Sequence, residues 1–283
     1  MSAAGARPAR SRLGDAATYL FLTVTAIVML TPILWIFSTS LKPTPEILVS
    51  PTRLLPTAPT LGHYGVALSG DFRSFLVNSL IAAGGATVAG LLLAIPAAFG
   101  FAKYAYRGSA GFLSFIVVTR VFPPIALALP FFLQFRTMGL IDTPWGLVVA
   151  YLPIVLPLMI WILHGFFRDF PDELIEAAEI DGLGPLATLV RIVLPLSLPG
   201  LGVAALFGFL VAWNEFVIAL TLTRTPGGGQ TLPVGISTLI TQFQVLWGDM
   251  MAVAAIYLLP ALAVTMLTQR GLIRGLMQGA TKG

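Results

Sequence analysis

The feature that most constrains this chain is the absence of charge over long apolar stretches. No Asp, Glu, Lys or Arg interrupts residues 16–41, 74–102, 143–167, 192–214 or 250–269. An apolar run of about 20 residues can cross a bilayer as a helix, which satisfies its own backbone where no water can. The composition agrees: 57% of the 283 residues are hydrophobic and 10% charged, against about 25% charged in a soluble domain. So few charges cannot solvate a large water-facing surface. The net charge of +4 comes from basic residues gathered at the ends of apolar segments. They form no run or helical stripe, which argues against a nucleic-acid partner. With no cysteine, the chain has no disulfide, thiolate metal site or cysteine nucleophile.

These patterns predict an all-α polytopic membrane protein, one transmembrane domain over residues 1–283 with six crossings. The expected spans are residues 16–38, 75–102, 111–135, 145–167, 198–222 and 250–269. The first follows Arg7, Arg10 and Arg12 and has the outline of a signal peptide. Its apolar part exceeds a signal core of about 7–15 residues and no A-x-A-like site follows, so it reads as an uncleaved span. Basic residues set the orientation. With a cytoplasmic N-terminus, Arg7, Arg10, Arg12, Lys103, Arg107, Arg168, Arg191, Arg270, Arg274 and Lys282 lie inside. Lys42, Arg53, Arg73, Arg136 and Arg224 lie outside, and Arg120 falls within a span. Both termini are therefore expected in the cytoplasm, with tails at 1–15 and 270–283. Proline stands inside most spans (Pro32, Pro96, Pro123, Pro124, Pro130, Pro153, Pro157, Pro260). Each removes a helix hydrogen bond. Such prolines are tolerated in membranes or mark broken helices lining a pathway, and Pro123-Pro124 favours the second reading most.

One polar segment stands out. Residues 169–195 read DFPDELIEAAEIDGLGPLATLVRIVLP and hold six of the twelve acids, Asp169, Asp172, Glu173, Glu176, Glu179 and Asp181. Pro171 suits a first helical position, and Asp172 and Glu173 then sit in the first turn, where the dipole favours anions. At helical spacing Asp172, Glu176 and Glu179 share one face, with Leu174 and Ala178 opposite. Gly182 ends this helix, and Gly184-Pro185 opens a second one running to Arg191. A helix-turn-helix lying flat under the membrane results. Ala177 and Ala178 keep it thin, so its acidic face could seat in a basic groove on a partner.

This segment resembles the EAA loop of importer permeases of the ATP-binding-cassette superfamily. Glu176-Ala177-Ala178, Gly182, Ile192 and Leu194-Pro195 stand at the positions and spacings of that motif. Further matches resemble the maltose-type carbohydrate permeases: Asn78-Ser79, Leu140-Ile141-Asp142-Thr143 with Trp145-Gly146, Trp213-Asn214-Glu215-Phe216, Leu232-Pro233-Val234-Gly235, and Gly275-Leu276 with Lys282-Gly283. The resemblance implies a type I importer permease of six helices that forms half of a carbohydrate pathway. It implies ATPase-coupling roles for Glu176, Ala177, Ala178, Gly182, Ile192, Leu194 and Pro195. The implied partners are a second, similar permease, an ATP-binding-cassette ATPase dimer and an extracytoplasmic solute-binding protein, all at the inner membrane. The C-terminal tail would also reach the ATPases, although Gln278 and Thr281 depart from the pattern.

Ionisable groups at membrane depth are functional candidates. Arg120 in the third span and Glu215 in the fifth are candidates for the pathway, for a mutual pairing, or for facing the partner permease or a water-filled cavity; Asn214 and Glu215 serve either helix packing or the pathway. His63 and His164 lie too far apart for a metal site, and no metal is expected. No P-loop occurs, since Gly227-Gly228-Gly229 leads into Gln230 without a lysine. No catalytic grouping stands out, so the chain is expected to be no enzyme and to carry no cofactor, with ATP and Mg on the partner ATPase. Competing readings are an importer of another polar solute (a glycerol phosphate diester or polyamine), an ion-coupled transporter using Arg120 and Glu215, and a membrane enzyme.

Overall fold

A computed structural model describes residues 12–104, 106–225 and 227–280, with side chains described only between 14 and 269. The expectations for Arg7 and Arg10, and for Thr281, Lys282 and Gly283, lie outside the described residues. Helix α1 (Arg12–Ser40) leads through short α2 (Thr44–Ile47) and α3 (Gly62–Ala67) into α4 (Gly70–Lys103). Helix α5 (Ser109–Val118) and a 3-10 turn at Thr119–Val121 precede α6 (Pro124–Thr137) and α7 (Pro144–Arg168). Then come α8 (Asp172–Ile180), α9 (Pro185–Thr188), a π-helical turn at Leu189–Val193 and α10 (Leu194–Leu196). Helices α11 (Leu198–Trp213), α12 (Val217–Leu222), α13 (Leu232–Thr238) and α14 (Trp247–Ala280) complete the chain. Among the described residues there is no strand, only an isolated bridge between Ile240 and Val245. The all-α expectation holds.

Helices α1, α4, α7 and α14 are each long and apolar enough to cross a membrane unaided. Pro32, Pro96, Pro153, Pro157 and Pro260 sit inside these continuous helices, so there the prolines are tolerated. The third expected span is not one rod. Residues Ser109–Val121 meet Pro124–Thr137 at 93°, because Pro123 excludes helical backbone at Phe122, whose ψ is 123°. The fifth is also divided: α11 stops at Trp213, and α12 restarts after Asn214, Glu215 and Phe216. The region expected as a C-terminal tail continues α14 in helical form to Ala280.

The core is built by α4, α7 and α11. Without a hydrophobic force between helices in lipid, association depends on close packing at small residues. A Cβ added at Gly90 on α4 would lie 2.8 Å from Met159 Sδ, and one at Gly208 on α11 1.8 Å from Met159 Cε. Met159, fully buried on α7, therefore fills the space that two glycines on flanking helices leave. Near the α8 end, Gly200 on α11 meets the Phe166 ring, 2.5 Å from where its Cβ would stand. Helix α14 joins through an aromatic stack: Phe209 on Trp213 at 5.3 Å and Trp213 on Tyr257 at 5.1 Å between ring centroids. Helix α1 keeps most of its surface exposed, including Tyr19, Leu20 and Phe21. At the end opposite α8, the chain between α1 and α4 folds over the start of α14, and His63 Nδ1 lies 2.7 Å from Asp249.

This packing sets an expected outcome. Gly200→Ala must displace a rigid ring and should lower the melting temperature of the purified protein, at a cost of about 1–3 kcal/mol. Gly100→Ala, inside α4 with nothing within 4 Å of the added Cβ, should leave it unchanged or raise it.

Candidate functional site

The acidic segment folds as a helix, a tight turn and a second helical stretch. Pro171 is the cap of α8 and not its first residue, one position from the expected place, and Asp172 and Glu173 occupy the first turn. Glu176 and Ala177 are exposed, whereas Ala178 is buried together with Ile175. The inner face is thus Ile175 with Ala178. Leu174, expected there, is 42% exposed, because three-residue spacing centres the buried stripe on Ile175.

The turn follows from Gly182, whose φ is +80°, a left-handed conformation that glycine adopts without Cβ strain. Its amide donates to Glu179 O at 3.0 Å, and the Leu183 amide donates to Ala178 O at 2.9 Å. These two bonds satisfy carbonyls that the end of α8 would otherwise leave open.

Beyond the turn, α9 gives way to the π-helical Leu189–Val193, which holds Arg191 and half-buried Ile192. Pro195 lacks the amide that would continue the preceding ladder. Ser197 N–H instead donates to Val193 O at 2.9 Å, and the chain turns by 85° into α11. Leu194 is half-buried and Pro195 exposed. The seven motif residues therefore lie in one segment between α7 and α11, whose second half, Pro185–Leu196, stands at 85° to α11.

A residue outside the motif fastens this element. Lys103, at the end of α4, has a side chain only 6% exposed and pairs with Asp172 at 2.6 Å. Its ammonium also donates to Phe170 O at 2.6 Å and to Arg168 O at 3.4 Å. For the next residue, Tyr104, burial first and the Glu179 charge second push the phenol pKa up. Sequence reading gave Lys103 a topological role alone, since nothing local marks contacts 65–69 residues away.

At the opposite end the resemblance motifs form a polar knot. Asp142, at φ 61°, accepts hydrogen bonds from the amides of Arg224, Thr225 and Gly229 at 3.0, 3.2 and 3.3 Å. It also accepts one from the Thr225 hydroxyl. Burial raises its pKa, but the bonds from Thr225, Arg224 and Gly229 outweigh that and hold the carboxyl below its ordinary value. Asn78 Nδ2 donates to Gly228 O at 2.7 Å and Gln230 O at 3.0 Å, and Ser79 Oγ accepts from the Leu232 amide at 2.8 Å. The loop after α12 is thus tied to α4 and to the turn before α7.

The intramembrane candidates separate. The Glu215 carboxylate, 9% exposed, accepts from the Ile218 amide at 2.9 Å and the Ala219 amide at 3.0 Å, so it caps α12, where the dipole favours an anion. Asn214 is exposed; it donates to Leu210 O at 2.7 Å and accepts from the Tyr257 hydroxyl at 3.0 Å. Arg120 is exposed at the 3-10 turn before the 93° break. Its guanidinium makes no hydrogen bond or ion pair with the described residues. Arg120 and Glu215 are therefore unpaired with each other. No group of three or more His, Cys, Asp or Glu able to hold a metal occurs among the described residues.

Comparison with known proteins gives consistent matches. Residues 86–278 match the family model for the binding-protein-dependent transport system inner membrane component. The chain is 36% identical over 272 residues to the trehalose transport system permease protein SugB of Mycobacterium tuberculosis, covering 94% of this chain and 98% of that one. It is 34% identical over 262 residues to the trehalose/maltose transport system permease protein MalG of Thermococcus litoralis, covering 91% and 93%. It is 32% identical to the diacetylchitobiose uptake system permease protein DasC of Streptomyces coelicolor, covering 92% and 96%. In fold it resembles a chain of the crystal structure of a bacterial ABC transporter involved in import of the acidic polysaccharide alginate. That match has a TM-score of 0.78 and 24% identity, covering 93% and 99%.

The knot at Asp142 carries a pH dependence with a definite sign. A depressed carboxylate stabilises the folded state above its ordinary pKa and loses that contribution as pH falls through the lowered value. Asp142→Asn should therefore lower the melting temperature near neutral pH, and the gap to the unmodified protein should close as the pH is taken below the ordinary value of 3.8. A gap of constant size across that range would remove the carboxylate from the account.

Proposed function

This chain belongs to the family of binding-protein-dependent transport system inner membrane components, and from that premise we propose that it forms half of the translocation pathway of an ATP-driven carbohydrate importer. It is a multi-pass membrane protein. The carbohydrate reading is supported by relatives along nearly the whole chain whose names specify trehalose, trehalose/maltose and diacetylchitobiose transport. Partners of the general kind, ATPases and a solute-binding protein, follow from the family. In the specific arrangement proposed, a second similar permease completes the pathway and an ATPase dimer holds ATP and Mg. The solute-binding protein delivers cargo at the end where Asp142 and Asn78 secure the loop. Both termini and the α8–α10 element then face the cytoplasm.

The observation that carries this reading is the geometry of α8. A short helix shows its acidic residues and Ala177 outward, buries Ile175 and Ala178 inward, and ends in a glycine turn. Such a helix can enter a groove on the ATPase, and Glu176 presents a charge that basic residues there can pair. Closure of the ATPase dimer would push α8, and its joints at Arg168 and Ser197 pass the movement into α7 and α11. The break at Phe122–Pro123 and the division at Asn214–Phe216 supply irregular backbone suited to lining a pathway. Arg120 and Asn214 are the proposed pathway residues; Glu215 holds the division in shape.

The test uses the complete complex in proteoliposomes with its binding protein. Glu176→Lys reverses the charge offered to the groove, and Gly182→Val forces a β-branched residue into the left-handed region, costing about 1–2 kcal/mol. Each should reduce uptake and substrate-stimulated ATP hydrolysis by roughly tenfold or more, while Glu173→Gln at the helix start has a smaller effect. Full activity in both variants would overturn the coupling role. Binding of the solute-binding protein to trehalose and to β-linked disaccharides, measured calorimetrically, identifies the cargo; no binding to any sugar or polyol would overturn the carbohydrate assignment.

A further inference from the structure

The ammonium of Lys103 sits where three parts of the chain converge. It has three N–H donors, and three acceptors surround it: Asp172 Oδ1, Phe170 O and Arg168 O, at 2.6, 2.6 and 3.4 Å. None of these belongs to its own helix. Arg168 O and Phe170 O lie at the end of α7, where unpaired carbonyls gather negative potential. Asp172 is the first residue of α8. The ammonium is withdrawn from solvent, with the side chain 6% exposed against 74% for Asp172. Its pairing is thus stronger than that of an exposed surface ion pair. The next residue, Tyr104, packs its ring against Phe99 of α4 at 5.7 Å between centroids. Charged groups facing this cluster from neighbouring elements are Asp172 and Glu179 of α8, and Arg168, itself drawn toward Asp169 at 3.5 Å.

The consequence is mechanical. Helix α8 buries only Ile175 and Ala178 and shows the rest of its surface. Its link back to the core through α9 is the single turn at Gly182. Without Lys103, a push on α8 could be absorbed by swinging about Gly182 and the Asp169–Pro171 joint. With Lys103 in place, the start of α8 and the end of α7 are bound to the end of α4, the helix that meets α7 along its length.

We propose that Lys103 is a positioning residue for energy coupling: it ties α8 to α4 so that displacement of the coupling helix moves the α4–α7 core and is not lost in the loop. This rests on the coupling role proposed above for α8. Lys103 contacts neither nucleotide nor cargo.

The experiment compares Lys103→Met, Lys103→Arg and Asp172→Asn with the unmodified complex in proteoliposomes. It measures ATP hydrolysed per solute imported. Lys103→Met keeps the apolar stem and removes the donors. It should raise the ratio roughly tenfold, in proportion to the loss of a charge-assisted contact, while the assembled complex still hydrolyses ATP. Lys103→Arg, which restores a buried cation with several donors, should return most of the coupling. Asp172→Asn leaves the two carbonyl bonds intact and should fall between. Hydrogen exchange across residues 168–180 should quicken in the same order. A ratio unchanged in Lys103→Met, in a complex where Glu176→Lys does impair transport, would overturn the proposal and leave the coupling reading standing. Unimpaired Glu176→Lys would overturn the coupling reading itself. Should Lys103→Met fail to assemble, Asp172→Asn decides: no change in its ratio or exchange would overturn the tie.

Discussion

The rest of the molecule depends on the close approach of α4, α7 and α11. Lipid tails are as apolar as leucine, so these helices cannot rely on exclusion from water to hold together. They rely on contact. Met159 of α7 lies against the backbone at Gly90 on one side and Gly208 on the other, and Phe166 covers Gly200 near the α8 end. Three helices fixed this way present defined ends. At one, the segment between α7 and α11 bridges two closely held helices, and its second half meets α11 at 85°. At the other, Asn78 of α4 and Asp142 before α7 reach the same loop after α12.

The two ends are built differently, and the difference suits transport. The knot around Asp142 collects three amides and a hydroxyl on one carboxylate, with Gly228 and Gly229 too close to Asp142 and Thr143 for side chains. It is a rigid closure. The α8 end is a thin helix seated on two small contacts and held by one buried lysine. An element that a partner must move is better held at a few strong points than packed throughout. Between them, α6 and α12 interrupt regular helix at Phe122–Pro123 and at Asn214–Phe216. There Arg120 and Asn214 are exposed, while Glu215 is consumed in capping α12.

Much of this was legible in the sequence, for reasons that are local. Charge-free runs marked five of the six expected spans, the third being apolar around Arg120, and Gly182 marked its left-handed turn. The fixed spacing from Glu176 to Pro195 marked the whole crossing element. Pro123-Pro124 signalled a break, but the 93° angle depends on what α6 packs against, chiefly α12. The inner face of α8 was set one residue off, at Leu174 in place of Ile175, because a nine-residue helix with several apolar positions allows two neighbouring stripes. A pairing of Arg120 with Glu215 was conceivable from depth along their spans. The fold instead gives Glu215 the amides at the start of α12, only three and four residues ahead. Lys103 and Asp142 were opaque as anchors, since their partners lie some 65–87 residues away and no periodicity encodes such contacts.

The central claim is that the outward face of α8 meets the ATPase. Site-specific photo-cross-linking in the assembled complex tests it most directly, with the reactive group placed at Ala177, at Ala178 or at Phe243, which is 95% exposed at the opposite end. The account predicts cross-links to the ATPase subunit from Ala177, far fewer from buried Ala178 and none from Phe243. Cross-links to the ATPase from Phe243 and none from Ala177 would contradict it.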